Sequence, residues 1–236
     1  MRVVTAGSGN YAFADTIRYN EANCKKYGYD FKVYDLGGLG FGTKVDDPRV
    51  QSKFRRVKSA MKPELLREAI ATYDGPVAWI DGDATLIKPI DEVFNAEPWD
   101  VGITVRPKRT NKKTTYINAG VFFARQSGLG FVEEWIDAMP PVPDLDALTK
   151  PPNYSDQQTL ENEILLPEIK EPLWDLTWET RMVRGYKVKF FPCEIYNNFW
   201  CIRSPHYELG PGKTKVIHFK GHRMHRLGDY HERFLR

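Results

Sequence analysis

Asp81 and Asp83, with only Gly82 between them, close the almost wholly apolar run Pro76-Val77-Ala78-Trp79-Ile80, which the breaker pair Gly75-Pro76 opens. Such a run reads as a central strand buried on both faces. Two carboxylates at its carboxyl end sit where open α/β sheets place their ligands. They repel each other and are costly to desolvate unless a cation lies between them. Oxygen donors of this kind suit a hard divalent ion such as Mg²⁺ or Mn²⁺. The Asp-x-Asp triplet is common, and a second copy, Asp144-Leu145-Asp146, lies in the proline-rich stretch MPPVPDLDALTKPP. No strand precedes that copy, and its turn chemistry marks it as a solvated loop.

Several elements must position the first pair. Arg2 to Ala6 is a β-rich run, and Gly7-Ser8-Gly9-Asn10 turns the chain. From Tyr11, apolar residues recur at Phe13, Ile17, Cys24 and Tyr27 with near-helical spacing, Gly28 ends the helix, and Tyr29 to Asp35 alternates as a strand does. The opening is therefore a βαβ unit with a glycine turn after its first strand, able to approach phosphate. The spacing departs from the dinucleotide fingerprint, so NAD is not expected. Leu36 to Val50 reads as a glycine-rich loop. Lys62-Pro63 opens a second helix that buries Leu65, Leu66, Ala69, Ile70 and Tyr73. After the acid pair, Asp91 is the expected N-cap of a short helical turn. Trp99 to Arg106 and Tyr116 to Arg125 read as strands. Ser127 to Met139 reads as a helix facing inward through Leu129, Val132, Ile136 and Met139. The long loop from Pro140 to Asn153 has the length of a functional lid. Ser155 to Leu165 reads as a helix, with Ser155 and Gln158 as a capping box. Lys187 to Pro192 and Lys215 to Phe219 are late strands, and no repeat or linker is visible.

The 236 residues suit one domain over 1–236, with 222–236 as a tail or lid. The 13% aromatic content is high, and most of these rings are assigned to the core. A net charge of +3 is too weak to call for nucleic acid. Basic residues cluster at Lys53 to Lys62, at Arg106 to Lys113 and near the C-terminus, as solvated surface or as anion contacts. Cys24, Cys193 and Cys201 lack metal spacing and read as reduced thiols. With no membrane span and no signal-peptide layout in the sequence, a cytoplasmic location is expected.

The order of motifs resembles the GT-A class of nucleotide-sugar-dependent glycosyltransferases, with a Rossmann-like, mixed and mostly parallel sheet flanked by helices. Ala6 to Ala12 (AGSGNYA) resembles the nucleotide-binding turn of the family that includes glycogenin and the bacterial lipooligosaccharide galactosyltransferases. Asp81-Gly82-Asp83 matches the metal motif of the class. Asn118-Ala119-Gly120-Val121-Phe122 resembles the segment that closes over the donor sugar. Asp156-Gln157, followed by His218-Phe219-Lys220-Gly221, resembles the late DQ and HxxG elements of retaining members. The helix ending at Trp135 to Met139 is similar to that of fungal and plant α-galactosyl- and α-xylosyltransferases. The likeness spans residues 2–222.

The resemblance implies a site. Asp81, Asp83 and His218 would hold the metal, with Mn²⁺ favoured over Mg²⁺ because an imidazole joins the shell. Tyr11 would stack on the base, with Asn10 and the backbone of Thr5, Ala6 and Gly7 beside the nucleotide. Lys58, Lys220 and Gly221 would meet the phosphates. Asp156 would bind hydroxyls of the transferred sugar, and Gln157 would lie beneath its anomeric carbon. Ser8 and Gly9 stand where relatives carry acids, and Met224 stands where relatives place a phosphate-binding lysine. The implied reaction is transfer of a hexose from UDP-glucose or UDP-galactose to a glycan or other hydroxyl acceptor, with retention. A sugar-phosphate nucleotidyltransferase and a non-catalytic nucleotide-sugar or glycan-binding module are the competing readings.

Overall fold

The structure, a computed structural model, describes residues 1–7, 11–36, 61–95, 97–108, 116–140, 155–199 and 213–219, with the backbone alone at 11–13 and 199. Strand β1 (Arg2–Gly7) leads to helix α1 (Tyr11–Tyr27) and strand β2 (Asp30–Asp35). Gly28 stands between helix and strand at φ 73°, a left-handed conformation that glycine alone adopts without strain. Helix α2 (61–71) precedes β3 (Val77–Ile80), whose four residues are all buried. Then follow β4 (Ala84–Leu86), helix α3 (Glu92–Asn95), β5 (Val101–Val105), β6 (Ile117–Ala124) and helix α4 (Leu129–Ala138). Helix α5 (Asp156–Thr159) runs into a π-helical stretch (Leu160–Leu165) and helix α6 (Leu166–Glu168). Strands β7 (Thr180–Val183) and β8 (Tyr186–Pro192), helix α7 (Cys193–Tyr196), β9 (Asn198–Phe199) and β10 (Val216–His218) complete the order.

The central sheet runs β2-β1-β3-β6-β5-β8-β7. It is mixed, as expected, but evenly so: β1 with β2, β1 with β3 and β5 with β8 are parallel, and the other three pairings are antiparallel. The β7–β8 pair is a tight hairpin through Arg184 and Gly185, both at positive φ, and a two-residue turn of that kind returns its strand antiparallel. Sequence reading missed β7, whose side chains are mostly not buried. In the second sheet, β4-β10-β9, the late strand expected at Lys215 to Phe219 is β10, while β4 and β9, three and two residues long, were missed.

Two cores flank the central sheet. On one face Val4, Trp79, Ile103 and Phe122 pack with Leu66 and Ile70 of α2, Phe131 and Trp135 of α4, and Leu160 and Ile164. On the other, Val3, Ala78, Ile80, Val121 and Phe123 pack with Cys24 of α1, Val93 of α3 and Tyr196 of α7. Helix α1 also holds the free side of β4: the Asn20 amide donates to the Ala84 carbonyl at 2.9 Å, and its oxygen accepts the Leu86 N–H at 2.8 Å. That asparagine stands in for a neighbouring strand.

Two local expectations hold and one changes. The inward face of α4 is the expected one: Val132 is buried, Leu129, Ile136 and Met139 are half-buried against the same core, and Phe131 and Trp135 are buried beside them. The segment after Ser155 is capped as expected, with its hydroxyl accepting the Gln158 N–H, but from Leu160 it becomes π-helical rather than continuing as an α-helix. Asp91 stands at the expected N-cap position of α3, its carbonyl accepting the Asn95 N–H at 3.2 Å, and its carboxylate accepts the hydroxyl of Tyr29, just ahead of β2, at 2.6 Å. Cys24 and Cys193 are buried, and Cys201 lies outside the described residues, as do 37–50, 141–154 and 222–236. No described helix is long and apolar enough to cross a membrane.

Trp135 is fully buried, stacks on Phe122 with ring centroids 5.5 Å apart, and donates its indole N–H to the Asp156 carbonyl. Trp135→Ala is expected to lower stability by about 3–5 kcal/mol, read from the midpoint of urea unfolding.

Candidate metal and sugar-nucleotide site

Strand β3 ends where the chain changes sheets. Asp81-Gly82-Asp83-Ala84 is a tight turn closed by the Ala84 N–H donating to the Asp81 carbonyl at 2.8 Å, and it carries the chain from β3 into β4. Each acid therefore belongs to a different sheet. The Asp81 N–H donates to the Gly120 carbonyl of β6, and the Phe219 N–H donates to the Asp83 carbonyl beside β10. Antiparallel pairing of β10 with β4 sets His218 opposite Ala84 and brings its Nε2 to 2.8 Å from Asp83 Oδ1. One donor atom from each of Asp81, Asp83 and His218 lies within 4.8 Å of the other two. Two carboxylates and an imidazole at that spacing are a donor set a divalent cation can close on.

The β6 segment enters the site through an irregularity. Ile103 pairs with Phe122, but Val105, two residues on, pairs with Ile117, so 118–121 bulge away from β5. Bulges re-aim side chains and backbone beside active sites. Here the bulge presses Gly120 onto the acid pair. A Cβ at position 120 would collide with the His218 ring, standing 2.6 Å from Nδ1, and would lie 3.1 Å from Asp81 Oδ2. Only glycine leaves room for both side chains. The Asn118 side chain accepts the Gly120 N–H at 3.3 Å and braces the bulge.

Lys62 was read within a basic cluster at the mouth of α2, but it is buried, 7% exposed. Its ammonium lies 2.9 Å from Asp81 Oδ1 and 2.6 Å from Asp156 Oδ2, and donates to the Ala119 carbonyl at 3.0 Å. Burial by itself would favour the neutral amine, and the Asp156 and Asp81 carboxylates more than reverse this, holding Lys62 above the ordinary lysine range. The Trp79 indole N–H also donates to Asp81 Oδ1 at 2.8 Å. With Oδ1 held from two directions, Oδ2 is the oxygen turned toward Gly120 and His218.

Asp156 and Gln157 stand at the start of α5. Asp156 is nearly buried and reaches the acid pair through Lys62. The Gln157 oxygen accepts the Ala119 N–H at 3.2 Å, with an Arg106 nitrogen 3.5 Å away. Ala119 is thus gripped by Gln157 at its N–H and by Lys62 at its carbonyl. Glu161, one turn on, accepts the Ile117 N–H at 3.0 Å, and burial raises its carboxyl against the pull of the Ile117 and Tyr116 amides. It stitches the π-helical stretch to β6.

Thr5, Ala6 and Gly7 lie at the end of β1, paired to Val33, Tyr34 and Asp35 of β2, and the Gly7 carbonyl accepts the Leu36 N–H at 2.8 Å. Parallel pairing to β3 puts that end on the same side of the sheet as the acid pair. Tyr11 begins α1, described by its backbone alone. Asn10, Lys58, Lys220 and Gly221 lie outside the described residues. Of the expected residues, Asp81, Gly82, Asp83, Asn118, Ala119, Gly120, Asp156, Gln157 and His218 come together. Lys62, Trp79 and Arg106 were not anticipated. Trp79 could have been, since i and i+2 on a strand share a face; nothing in the sequence marks Lys62 as buried.

No family model matches this chain, and no curated protein matches it. Solved structures do. One is a glycosyltransferase involved in the glycosylation of the major capsid of PBCV-1, at 12% identity and TM-score 0.58, covering 95% of this chain and 96% of that one. Another is the galactosyltransferase LgtC, solved with donor and acceptor sugar analogues, at 14% identity and TM-score 0.52, covering 94% and 87%. At such identities the likeness is one of fold: a mixed central sheet flanked by helices in the GT-A, Rossmann-like arrangement.

Lys62→Met leaves Asp81 and Asp156 facing each other without their cation. It is expected to cost about 3–5 kcal/mol in urea unfolding. Gly120→Ala is expected to keep the fold but push the His218 ring off the acid pair. If the acid–imidazole cluster takes a divalent cation, the rise in melting temperature that such an ion gives the parent protein should shrink to within error.

Proposed function

We propose that this chain is a metal-dependent glycosyltransferase that moves a hexose from a nucleotide sugar, UDP-glucose or UDP-galactose, to a glycan or other hydroxyl acceptor with retention, as a single domain over 1–236. The observation that carries the reading is the convergence of Asp81, Asp83 and His218, two acids from one corner and an imidazole 135 positions later, on a fold of the glycosyltransferase kind. Asp81 through Oδ2, Asp83 and His218 would hold the divalent ion, Mn²⁺ in preference to Mg²⁺. Bound there, the ion supplies a Lewis acid and a template for the pyrophosphate of the departing nucleoside diphosphate.

The chain's own residues do the rest. Thr5, Ala6 and Gly7 offer backbone to the nucleotide, with Asn10 and Tyr11 next along the chain, and Lys58, Lys220 and Gly221 add contacts to the phosphates. Asp156, paired with Lys62, accepts hydrogen bonds from sugar hydroxyls. Gln157 faces the anomeric carbon. Its amide is neither a strong base nor a good nucleophile, so its part is to fix the sugar's position. The Gln157–Ala119–Lys62 contacts join sugar and metal ends of the cleft, so a donor bound at both ends is held at a set distance.

The test is a thermal-shift series with UDP, UDP-glucose and UDP-galactose, with and without Mn²⁺. A ligand at 100 times its Kd should stabilise by about 2.7 kcal/mol, and only when the metal is present. Asp83→Ala should abolish this shift and leave the unliganded melting temperature near the parent value. No shift for any nucleotide would sink the reading. Release of UDP from the nucleotide sugar identifies the transferase, whereas pyrophosphate released from UTP and a sugar 1-phosphate would identify a nucleotidyltransferase instead.

A further inference from the structure

Asn197 follows helix α7, immediately ahead of β9, and is wholly buried. Its side chain fills the gap the bulge opens between β5 and β6. The Nδ2 group lies 2.8 Å from the Asn118 carbonyl and 2.9 Å from the Thr104 hydroxyl, and the Oδ1 atom lies 2.9 Å from His218 Nδ1. Donor and acceptor roles follow from chemistry. A backbone carbonyl only accepts, so the atom facing Asn118 must be the amide nitrogen. Thr104 donates its own proton to the same carbonyl at 2.6 Å, so its oxygen accepts the second amide hydrogen. The remaining amide oxygen therefore faces His218. It only accepts, so His218 Nδ1 must carry a proton.

We propose that Asn197 is a positioning residue that accepts a hydrogen bond from His218 Nδ1–H and so turns the Nε2 edge of the ring toward Asp83 and the space between the Asp81 and Asp83 carboxylates. The Nδ1 proton follows from the hydrogen bonds; its use rests on the metal site proposed above. Imidazoles that hold metals are commonly oriented in this way by an acceptor on the other ring nitrogen. Here the acceptor is itself aimed by Thr104 of β5 and the Asn118 carbonyl of β6, so the bulge that brings Gly120 against the acids also sets the ring that faces them.

Long-range ¹H–¹⁵N correlation spectra of ¹⁵N-histidine-labelled, metal-free protein at about pH 9, above the ordinary imidazole range, test for the Nδ1 proton directly. The His218 signals are those missing from His218→Gln. They should show a protonated Nδ1, whether or not Nε2 also carries a proton against Asp83; an Nδ1 without a proton overturns the proposal. Calorimetric Mn²⁺ titrations then test the consequence. Asn197→Leu should weaken Mn²⁺ binding by about 10–100-fold. Asn197→Asp keeps the acceptor, so it should retain the Nδ1–H signature and recover most of that loss. Unchanged Mn²⁺ affinity in Asn197→Leu would mean Asn197 does not position the ligand. If Asn197→Leu does not fold, the parent spectrum and Asn197→Asp still decide. If the parent binds no Mn²⁺, the metal reading fails, and the spectrum still decides whether Asn197 sets the ring.

Discussion

Three carboxylates, from Asp81, Asp83 and Asp156, meet at one end of a buried strand, and unscreened charge there would cost several kcal/mol per group. The surrounding contacts answer that repulsion. Lys62 lies between Asp81 and Asp156, the Trp79 indole caps the same Asp81 oxygen, and His218 meets Asp83. Lys62 neutralises the side of the cluster toward α5. The side toward β10 is formed by the second Asp81 oxygen, Asp83 and the imidazole, where a cation has most to gain.

Rigid elements hold these groups in place. The turn between β3 and β4 is anchored on each side by a backbone pairing, to Gly120 on one sheet and to Phe219 on the other. Asn20 of α1 fastens β4 from behind, and Asn197 plugs the bulge from within. Sites supported by strands and by buried hydrogen bonds keep their geometry more tightly than sites on loops. The polar side chains that do this are wholly buried, where an unmet hydrogen bond is expensive and an alternative arrangement correspondingly disfavoured.

A GT-A fold by itself does not say which reaction a chain performs, because one fold hosts many chemistries. The functional reading gains its content from the site: paired acids with an imidazole, joined through Lys62 and Ala119 to Asp156 and Gln157.

What the sequence determined by itself was local. The apolar run before Asp81, the helical spacing after Tyr11, the stop at Gly28 and the cap at Ser155 depend on neighbours within a few positions, so periodicity and turn chemistry reveal them. The acid pair was visible for the same reason, and the order of motifs pointed to His218 and Asp156. Tertiary structure alone decided the rest. Lys62 reads as one more surface lysine until α2 docks against β6, and Asn197 has no signature until β5, β6 and β10 surround it. The very short strands β4 and β9 exist only because β10 lies between them. The bulge at 118–121, which puts glycine where no side chain fits, arises from pairing between strands, and no window of sequence contains both partners. Burial and long-range register are properties of the assembled sheet, so they could be read only once it was formed.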